Sequence, residues 1–308
     1  MDKIKGFLGL VFLVGSLFAC SIDEARPLAH KKLVIASDFL YKKDSKFFSE
    51  LAKKERVQIE ILHMRADSIE YRLKKDGFNT NVDVVLVQSL LSIKNLKNQT
   101  FQKIEETTEQ ELTNLTKFQK NWYLIARDPF ILTYLKDSLE KPSSYRELST
   151  DFLWTSPDLQ SIELIKAQVS YQFQHLKKKK KTQKSLKEWL RGLKDHRVNY
   201  QEGLDSTAST QLLLMKYSSY LRNKPLLTTK KRVVVFPKNA YFDYFALAVV
   251  PQAKDYAVSK SFLLFWNEHA KDKRFLKHFG MTPLEPMKKG RAFYISPKEI
   301  LQLLVERK

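Results

Sequence analysis

Leu33-Val34-Ile35-Ala36-Ser37 is the first of three short apolar runs that alternate with amphipathic segments early in the chain. Asp44 to Lys54 places its apolar residues on one helical face, and Val57 to Ile61 then alternates apolar with polar residues as a strand does. Ser68 to Asp76 predicts a second helix, and Val82 to Val87 predicts a strand covered on both faces. This strand-helix-strand-helix-strand series predicts an α/β fold with parallel strands and right-handed crossovers.

The remainder of the chain continues to mix the two periods. Further strands are predicted at Trp122 to Ala126, Phe130 to Tyr134, Phe152 to Thr155, Arg232 to Phe236 and Ala246 to Val250. Further helices are predicted from Ser156-Pro157-Asp158 to about Leu176, and over Ser185 to Leu193, Val258 to His269, Asp272 to Phe279 and Pro297 to Val305. The segment Ser206 to Asn223 fits either a strand over Leu212 to Met215 or a single helix.

The N-terminus has the pattern of an export signal that ends in a lipid attachment site. Lys3 and Lys5 precede an apolar stretch from Gly6 to Ala19, and the tetrad Leu17-Phe18-Ala19-Cys20 ends in the only cysteine of the chain. The stretch is shorter than the roughly 20 residues that a spanning helix needs. We therefore expect residues 1–19 to be a lipoprotein signal peptide, with palmitate or a similar acyl chain on Cys20. An ordinary signal peptide with a chance cysteine is the alternative.

Export and the cysteine count together constrain the fold. No cysteine follows Cys20, so disulfides cannot stabilise the exported domain, which must depend on its own hydrophobic core. Residues 20–32 show no periodicity and are expected to form a tether. We expect a lipoprotein anchored on the periplasmic or cell-surface side of a membrane.

Composition argues against nucleic-acid binding and against catalysis. The formal net charge of +20 favours anionic partners, but the run Lys177 to Lys181 contains no aromatic residue and is expected to be a solvated helix end. The eight glycines include no phosphate-binding loop, the six histidines show no metal-ligand spacing, and no Gly-x-Ser-x-Gly motif occurs. We predict that the chain binds no nucleic acid and is not an enzyme.

The order of several short motifs resembles a known family. They are Asn81-Val82-Asp83-Val84-Val85-Leu86, Trp122-Tyr123-Leu124-Ile125-Ala126-Arg127, Tyr145-Arg146-Glu147-Leu148, Glu188-Trp189-Leu190-Arg191-Gly192-Leu193, Val235-Phe236-Pro237 and Phe262-Leu263-Leu264-Phe265. With the opening Leu33 to Ser37, their order and spacing resemble the class II periplasmic solute-binding proteins, specifically the ferric-iron-binding branch that serves ABC importers.

The resemblance implies a two-lobed, periplasmic-binding-protein-like (class II) α/β fold with a hinge and an interlobe cleft. Residues 33–126 and 232–285 would form the first lobe and residues 127–231 the second. Residues 286–308 would form a C-terminal helical segment. The implied partners are a small solute or metal ion in the cleft and an ABC permease in the membrane, with the protein itself a monomer.

The resemblance also implies a set of cleft residues. Tyr41 and Tyr220 match metal-binding tyrosines, and Fe³⁺ is the metal that they would hold. Other expected ligand-binding residues are Ser37, Asp38, Gln88, Arg127, Ser156 and Tyr217, with Tyr241, Asp243 and Tyr244 in a loop before the strand Ala246 to Val250. The sequence departs from the family at Ser219, where the first of two adjacent tyrosines would stand, and at Asp128 and Phe130, where anion-binding arginines would stand.

These departures leave the solute open between ferric ion and an anionic or polar organic molecule. The expected function is that of a lipid-anchored extracytoplasmic solute-binding protein, the capture component of an ABC importer of the iron-binding type. The alternative is a two-lobed sensor or partner-binding lipoprotein that has lost the transport function.

Overall fold

The computed structural model describes residues 31–96, 99–137, 141–150, 152–157, 159–175, 180–197, 211–229, 231–237, 241–284 and 297–300. Cys20, residues 20–30 of the expected tether and most of the lysine run Lys177 to Lys181 lie outside these residues, whereas Lys31 and Lys32 at the end of the expected tether belong to the first strand. Within the described part of the chain, no helix is both long and apolar enough to cross a membrane.

Strands and helices alternate along most of the chain. The strands are β1 (Lys31–Ser37), β2 (Val57–His63), β3 (Val84–Val87), β4 (Thr116–Phe118), β5 (Trp122–Leu135), β6 (Leu153–Thr155), β7 (Gln211–Lys216), β8 (Arg232–Val235) and β9 (Phe242–Val249). The α-helices are α1 (Ser49–Glu55), α2 (Ala66–Asp76), α3 (Leu90–Asn95), α4 (Glu106–Glu111), α5 (Leu159–His175), α6 (Lys180–Asp195), α7 (Tyr217–Thr229), α8 (Tyr256–His269) and α9 (Lys273–His278). Short 3-10 helices at Lys42–Phe48 and Tyr145–Ser149 supplement them.

The predicted parallel series at the start of the chain is confirmed. β1 pairs in parallel with both β2 and β3, so the strand order is β2-β1-β3. β3 is buried along its whole length, as its continuous apolar sequence predicted. The carboxyl ends of β1 and β3 therefore lie side by side at one edge of the sheet.

Strand β5 corrects one prediction. The sequence suggested two strands separated by Arg127-Asp128-Pro129, but β5 is a single strand of 14 residues. The proline is accommodated because its fixed φ is compatible with extended backbone. Backbone groups on either side of Pro129 form hydrogen bonds with residues outside the paired strands. Arg127 exchanges backbone hydrogen bonds with Thr282, and the Phe130 N–H donates to the Tyr241 carbonyl.

Two sheets share β5. Its first part pairs with β9, which also pairs with β3, and its last part pairs with β7 and β8. The chain passes once from the first sheet to the second within β5, and it returns between β8 and β9. The two sheets are therefore joined by two separate connections.

Two further segments differ from the sequence-based expectation. The ambiguous region Ser206 to Asn223 contains both predicted structures in succession, because β7 ends at Lys216 and α7 begins at Tyr217. β9 begins at Phe242, earlier than predicted, so Asp243 and Tyr244 lie within a strand and not in a loop. Asp243 is fully buried there. A buried charge inside an apolar strand needs partners, which the next subsection describes.

The hydrophobic core extends across both sheets. One cluster of buried side chains includes Trp122 of β5 together with Trp154 of β6. A second cluster lies between the first sheet and α8, where Phe48, Phe262 and Trp266 have essentially no exposed surface. The described part of the chain thus buries large aromatic side chains without help from disulfides.

Gly280 follows α9 and packs directly against the start of α7. Its φ is +73°, and a Cβ atom built on it would lie 2.3 Å from the Ser218 Cα. Gly77 also has a positive φ of +49°, but a Cβ atom there would have nothing within 4 Å. Both glycines satisfy a backbone requirement, and only Gly280 is also needed for close packing.

We expect Gly280→Ala to lower the free energy of unfolding by about 3 kcal/mol, because backbone strain adds to overpacking. Gly77→Ala, the matched control, should lower it by only about 1–2 kcal/mol. Urea denaturation of both variants measures the difference. Equal losses of unfolding free energy in the two variants would show that the close contact between Gly280 and Ser218 adds nothing to the cost of the substitution.

Candidate functional site

Polar and charged side chains meet in the interior where the two sheets join. Asp128 lies in the middle of β5, and the strand register places it opposite Asp243 of β9. Two residues further along β5, Phe130 pairs with Lys216, the last residue of β7. Gln88 follows the carboxyl end of β3. These four polar residues, with Asp38, Ser92 and Ser218, are called the crossing cluster below.

Asp128 is the centre of the hydrogen bonds in this cluster. Its Oδ2 accepts from the Ser218 hydroxyl at 2.6 Å and from Gln88 Nε2 at 2.9 Å, and its Oδ1 accepts from the Ser218 N–H at 3.2 Å. The Gln88 amide also contacts the Ser218 hydroxyl. Burial raises the pKa of Asp128 to about 6, opposed mainly by the positive charge of Lys216. Gln88 and Ser218 therefore connect the end of β3 to the start of α7 through one carboxylate.

Lys216 and Asp243 form a buried ion pair. The Lys216 Nζ lies 2.7 Å from the Asp243 Oδ2, and the two side chains are 7% and 0% exposed. The other carboxylate oxygen accepts from the Leu90 N–H at 3.0 Å and the Tyr244 N–H at 2.9 Å. Buried charges are tolerated when they are paired and hydrogen-bonded in this way.

Asp38 completes the cluster at the end of β1. Its Oδ1 accepts from the Gln88 N–H at 2.8 Å, and its Oδ2 accepts from the Ser92 hydroxyl at 2.7 Å. Burial is the main reason that the pKa of Asp38 is raised, and the negative charge of Asp243 adds to it. Ser37 has a local role, because its hydroxyl oxygen accepts from the N–H groups of Phe39 and Leu40 at 3.2 and 3.1 Å.

Tyr41 lies on the surface where the β1 loop faces α7. Its side chain is 39% exposed, and its ring stacks on His63 with 4.1 Å between ring centres. The Arg222 guanidinium of α7 lies 5.5 Å from the Tyr41 ring centre, and its Nη2 donates to the Phe39 carbonyl at 2.9 Å. Arg222 thus joins α7 to the loop that follows β1.

Tyr217 and Tyr220 lie on a different face of α7. Their rings are nearly parallel at 6.1 Å, and Phe236 packs edge-on against Tyr217 at 5.2 Å. Both tyrosines pack on a small apolar cluster that includes Ile131, whereas helical periodicity turns Ser218 and Arg222 towards the first sheet. The described contacts bring neither Tyr217 nor Tyr220 to Tyr41. Burial, with a smaller effect of Tyr220, raises the pKa of Tyr217.

The remaining expected ligand residues occupy separate places. Arg127 precedes Asp128 in β5 and so points to the opposite face of the sheet, where its Nε donates to the Pro283 carbonyl at 2.8 Å. Its guanidinium lies 4.6 Å from the centre of the Phe242 ring. Ser156 is buried just before α5. Tyr241 stacks on Tyr145 with 4.9 Å between ring centres.

The residues of this region that were missed as functional candidates include Asp128, Ser92, Lys216, Ser218 and Arg222. Lys216 and Ser218 flank the junction between β7 and α7, and Arg222 lies one turn after Ser218 on the face of α7 that is turned towards the first sheet. A charged residue directly after the apolar run Leu212 to Met215 was a usable signal for Lys216. Ser218 and Arg222 had no such signal, because their position depends on tertiary packing. Among the described residues, no group of three histidine, cysteine, aspartate or glutamate side chains could hold a metal ion.

Comparison with known proteins identifies the fold. No family model matches the sequence, and no curated protein is significantly similar to it. Solved structures match over most of the chain. Iron-bound HitA from Pseudomonas aeruginosa is 15% identical, with 89% of this chain and 97% of that chain covered at a TM-score of 0.65. The ferric binding protein from Campylobacter jejuni is 16% identical over 89% and 96% of the two chains, with a TM-score of 0.67.

A third neighbour is ferric iron-binding protein A from Mannheimia haemolytica in an open conformation, 13% identical over 90% and 98% of the two chains, with a TM-score of 0.67. This chain has the class II periplasmic-binding-protein fold. In that fold two α/β lobes flank a cleft, and the strands that connect the lobes form the hinge. β5 and the return from β8 to β9 are those connections here, so the crossing cluster lies at the hinge.

The pKa of Asp128 predicts a pH-dependent stability. Because the pKa is raised to about 6 in the folded state, the folded chain keeps a proton that the unfolded chain releases between about pH 4 and pH 6. The wild type should therefore lose about 2–3 kcal/mol of stability relative to Asp128→Asn as the pH rises from about 4 to 7. Denaturant unfolding at several pH values measures this difference.

Asp137→Asn is the control, because the Asp137 side chain is 74% exposed beside Lys231. Its stability should run parallel to that of the wild type over the same pH range. A stability difference between wild type and Asp128→Asn that does not change with pH would contradict the raised pKa.

Proposed function

We propose that this chain is an extracytoplasmic solute-binding protein that captures a small solute between its two lobes and delivers it to an ABC permease. The fold supports this proposal, because its solved neighbours include ferric binding proteins and an ABC transporter structure from Clostridium perfringens. The observation that carries it is the crossing cluster. Gln88 from the end of β3 and Ser218 from the start of α7 meet on Asp128 of the connecting strand. Such contacts couple the position of one lobe to the other.

We propose lobe boundaries close to those that the sequence indicated, which were residues 33–126 and 232–285 for the first lobe and residues 127–231 for the second. The strand pairing supports the first crossing, since β5 pairs with β9 up to Pro129 and with β7 from Phe130 onwards. It moves the second crossing, because β8 pairs with the last part of β5 and therefore extends the second lobe to Val235. Residues 286–308 are assigned to a C-terminal segment, of which residues 297–300 are helical.

We also propose that Cys20 carries the lipid that anchors the protein to a membrane. The support is the sequence of residues 1–20, in which a basic start and an apolar stretch end at this single cysteine. Anchoring confines the protein to the membrane surface that holds its permease, so that a released solute has only a short distance to travel.

The proposed mechanism is closure of the lobes around the solute by rotation at the hinge. Tyr41, whose ring stacks on His63 in the first lobe, faces Arg222 of the second lobe, and Tyr41 is 39% exposed, so these side chains are the proposed accessible contacts for a solute. Tyr41 and Arg222 thus replace Ser37 and Gln88 as the best-placed solute contacts, because the polar atoms of Ser37 and Gln88 bond within the protein.

A thermal-shift screen tests solute capture. Ferric citrate, phosphate and small organic acids are added to the purified protein, and a true solute at 100 times its dissociation constant should add about 2.7 kcal/mol to the stability. The shift should shrink in Arg222→Ala and remain in Lys224→Ala, a matched change on the exposed side of α7. A solute that stabilises both variants equally would bind outside the cleft.

Arg222 should also influence closure without solute. Arg222→Ala removes the hydrogen bond to the Phe39 carbonyl, worth about 1 kcal/mol, and should shift the balance between closed and open forms about fivefold towards the open form. Small-angle X-ray scattering should then show a larger radius of gyration than in the wild type. Lys224→Ala should leave the radius unchanged, and an unchanged radius in Arg222→Ala would contradict this prediction.

A further inference from the structure

We propose that Lys216 is a built-in cation of the hinge, which pairs with Asp243 and partly offsets the charge of Asp128 where a metal ion would otherwise be needed, so that the captured solute is a neutral or anionic small molecule. This inference rests on the proposed function and narrows its solute class. It differs from the iron-bound state of the neighbour HitA.

The charge balance of the crossing cluster is the first argument. Three carboxyl groups lie in it, those of Asp38, Asp128 and Asp243, and the Lys216 ammonium is the cation that faces them. The ammonium lies 2.7 Å from Asp243, and both side chains are almost completely removed from solvent. In such an environment charges interact strongly, so a multivalent cation at Asp243 would have to displace an ammonium that is already paired there.

The occupied lone pairs of the carboxylates are the second argument. The Asp243 Oδ1 accepts from two backbone N–H groups, and its Oδ2 is ion-paired with Lys216. Asp128 accepts from the Ser218 hydroxyl, the Ser218 N–H and the Gln88 amide. A metal ion that took these oxygens would have to displace donors that bond well already. Gln88 itself carries no charge that could offset the charge of a ferric ion.

The accessible part of the cleft is the third argument. The Tyr41 ring has two cations beside it, the Arg222 guanidinium at 5.5 Å and the Lys43 ammonium at 5.9 Å. Positive charge next to a phenol disfavours a metal cation there and favours an anionic or electron-rich solute. Tyr217 and Tyr220 pack on the Ile131 side of α7 and so do not complete a ligand set with Tyr41.

Removing the ammonium should convert the hinge into a cation site. We compare the wild type with Lys216→Ala, using terbium(III) luminescence as the probe for a hard trivalent cation and ferric nitrilotriacetate as the iron source. The variant should melt about 5–10 °C below the wild type in metal-free buffer, because its carboxylates lack a counter-charge. It should bind terbium at least tenfold more tightly than the wild type and regain part of the lost melting temperature.

Lys231→Ala is the matched control. Lys231 also pairs with an aspartate, Asp137, but both side chains are 74% exposed. This control should match the wild type in melting temperature and in terbium affinity. If Lys216→Ala does not fold, the double variant Lys216→Met/Asp243→Asn keeps the proposal testable. It removes both charges, while the asparagine oxygen can still accept from the Leu90 and Tyr244 N–H groups, so folding should be restored.

Three results would overturn the proposal. They are one-to-one binding of ferric ion by the wild type with a visible tyrosinate band, equal terbium affinity in the wild type and Lys216→Ala, and a double variant that folds no better than the single one. Ferric binding by the wild type would leave the proposed function standing. Conversely, if no solute stabilised the wild type in the thermal-shift screen, the proposed function would be contradicted. The proposal that Lys216 excludes a metal ion from the hinge would still stand if the terbium comparison gave the expected result.

Discussion

The shared strand β5 is the constraint on which the rest of the structure depends. A strand that belongs to two sheets must satisfy two sets of backbone partners, and β5 changes from β9 to β7 and β8 along its length. The change of partners falls at Asp128, Pro129 and Phe130. The interior at that point receives polar side chains from every element that ends there, and their hydrogen bonds hold the two lobes in register.

Much of the fold follows from local sequence. The parallel strands β1, β2 and β3 and the intervening helices were predictable because apolar periodicity and the stop at Gly77 agree with each other. The continuity of β5 was not, because Asp128 and Pro129 are poor strand residues when judged alone. Tertiary hydrogen bonds to Asp128 supply the stabilisation that local propensity does not.

The candidate site was less predictable than the fold. Resemblance singled out Asp38 and Gln88, which follow β1 and β3, but it did not show that the Asp38 carboxylate and the Gln88 Nε2 bond within the protein. Tyr220 looked like a ligand because of its neighbours in sequence, whereas its place on α7 depends on which helical face packs on Ile131. The charge of Lys216 directly after an apolar run marks it in the sequence, but its pairing with Asp243 depends on the strand register.

Because β5 is common to both lobes, the proposed rotation of one lobe relative to the other takes place about this strand. The displacement of a residue in such a rotation grows with its distance from the rotation axis. Lys216 therefore moves little, because its strand pairs with β5. Arg222 lies about 8 Å from the start of α7, at 1.5 Å per residue, and is expected to be displaced further than Lys216. During the proposed closure, Ser218 at the start of α7 can therefore keep its hydrogen bond to Asp128. Arg222, further along the helix, forms and loses its contacts with Phe39 and Tyr41.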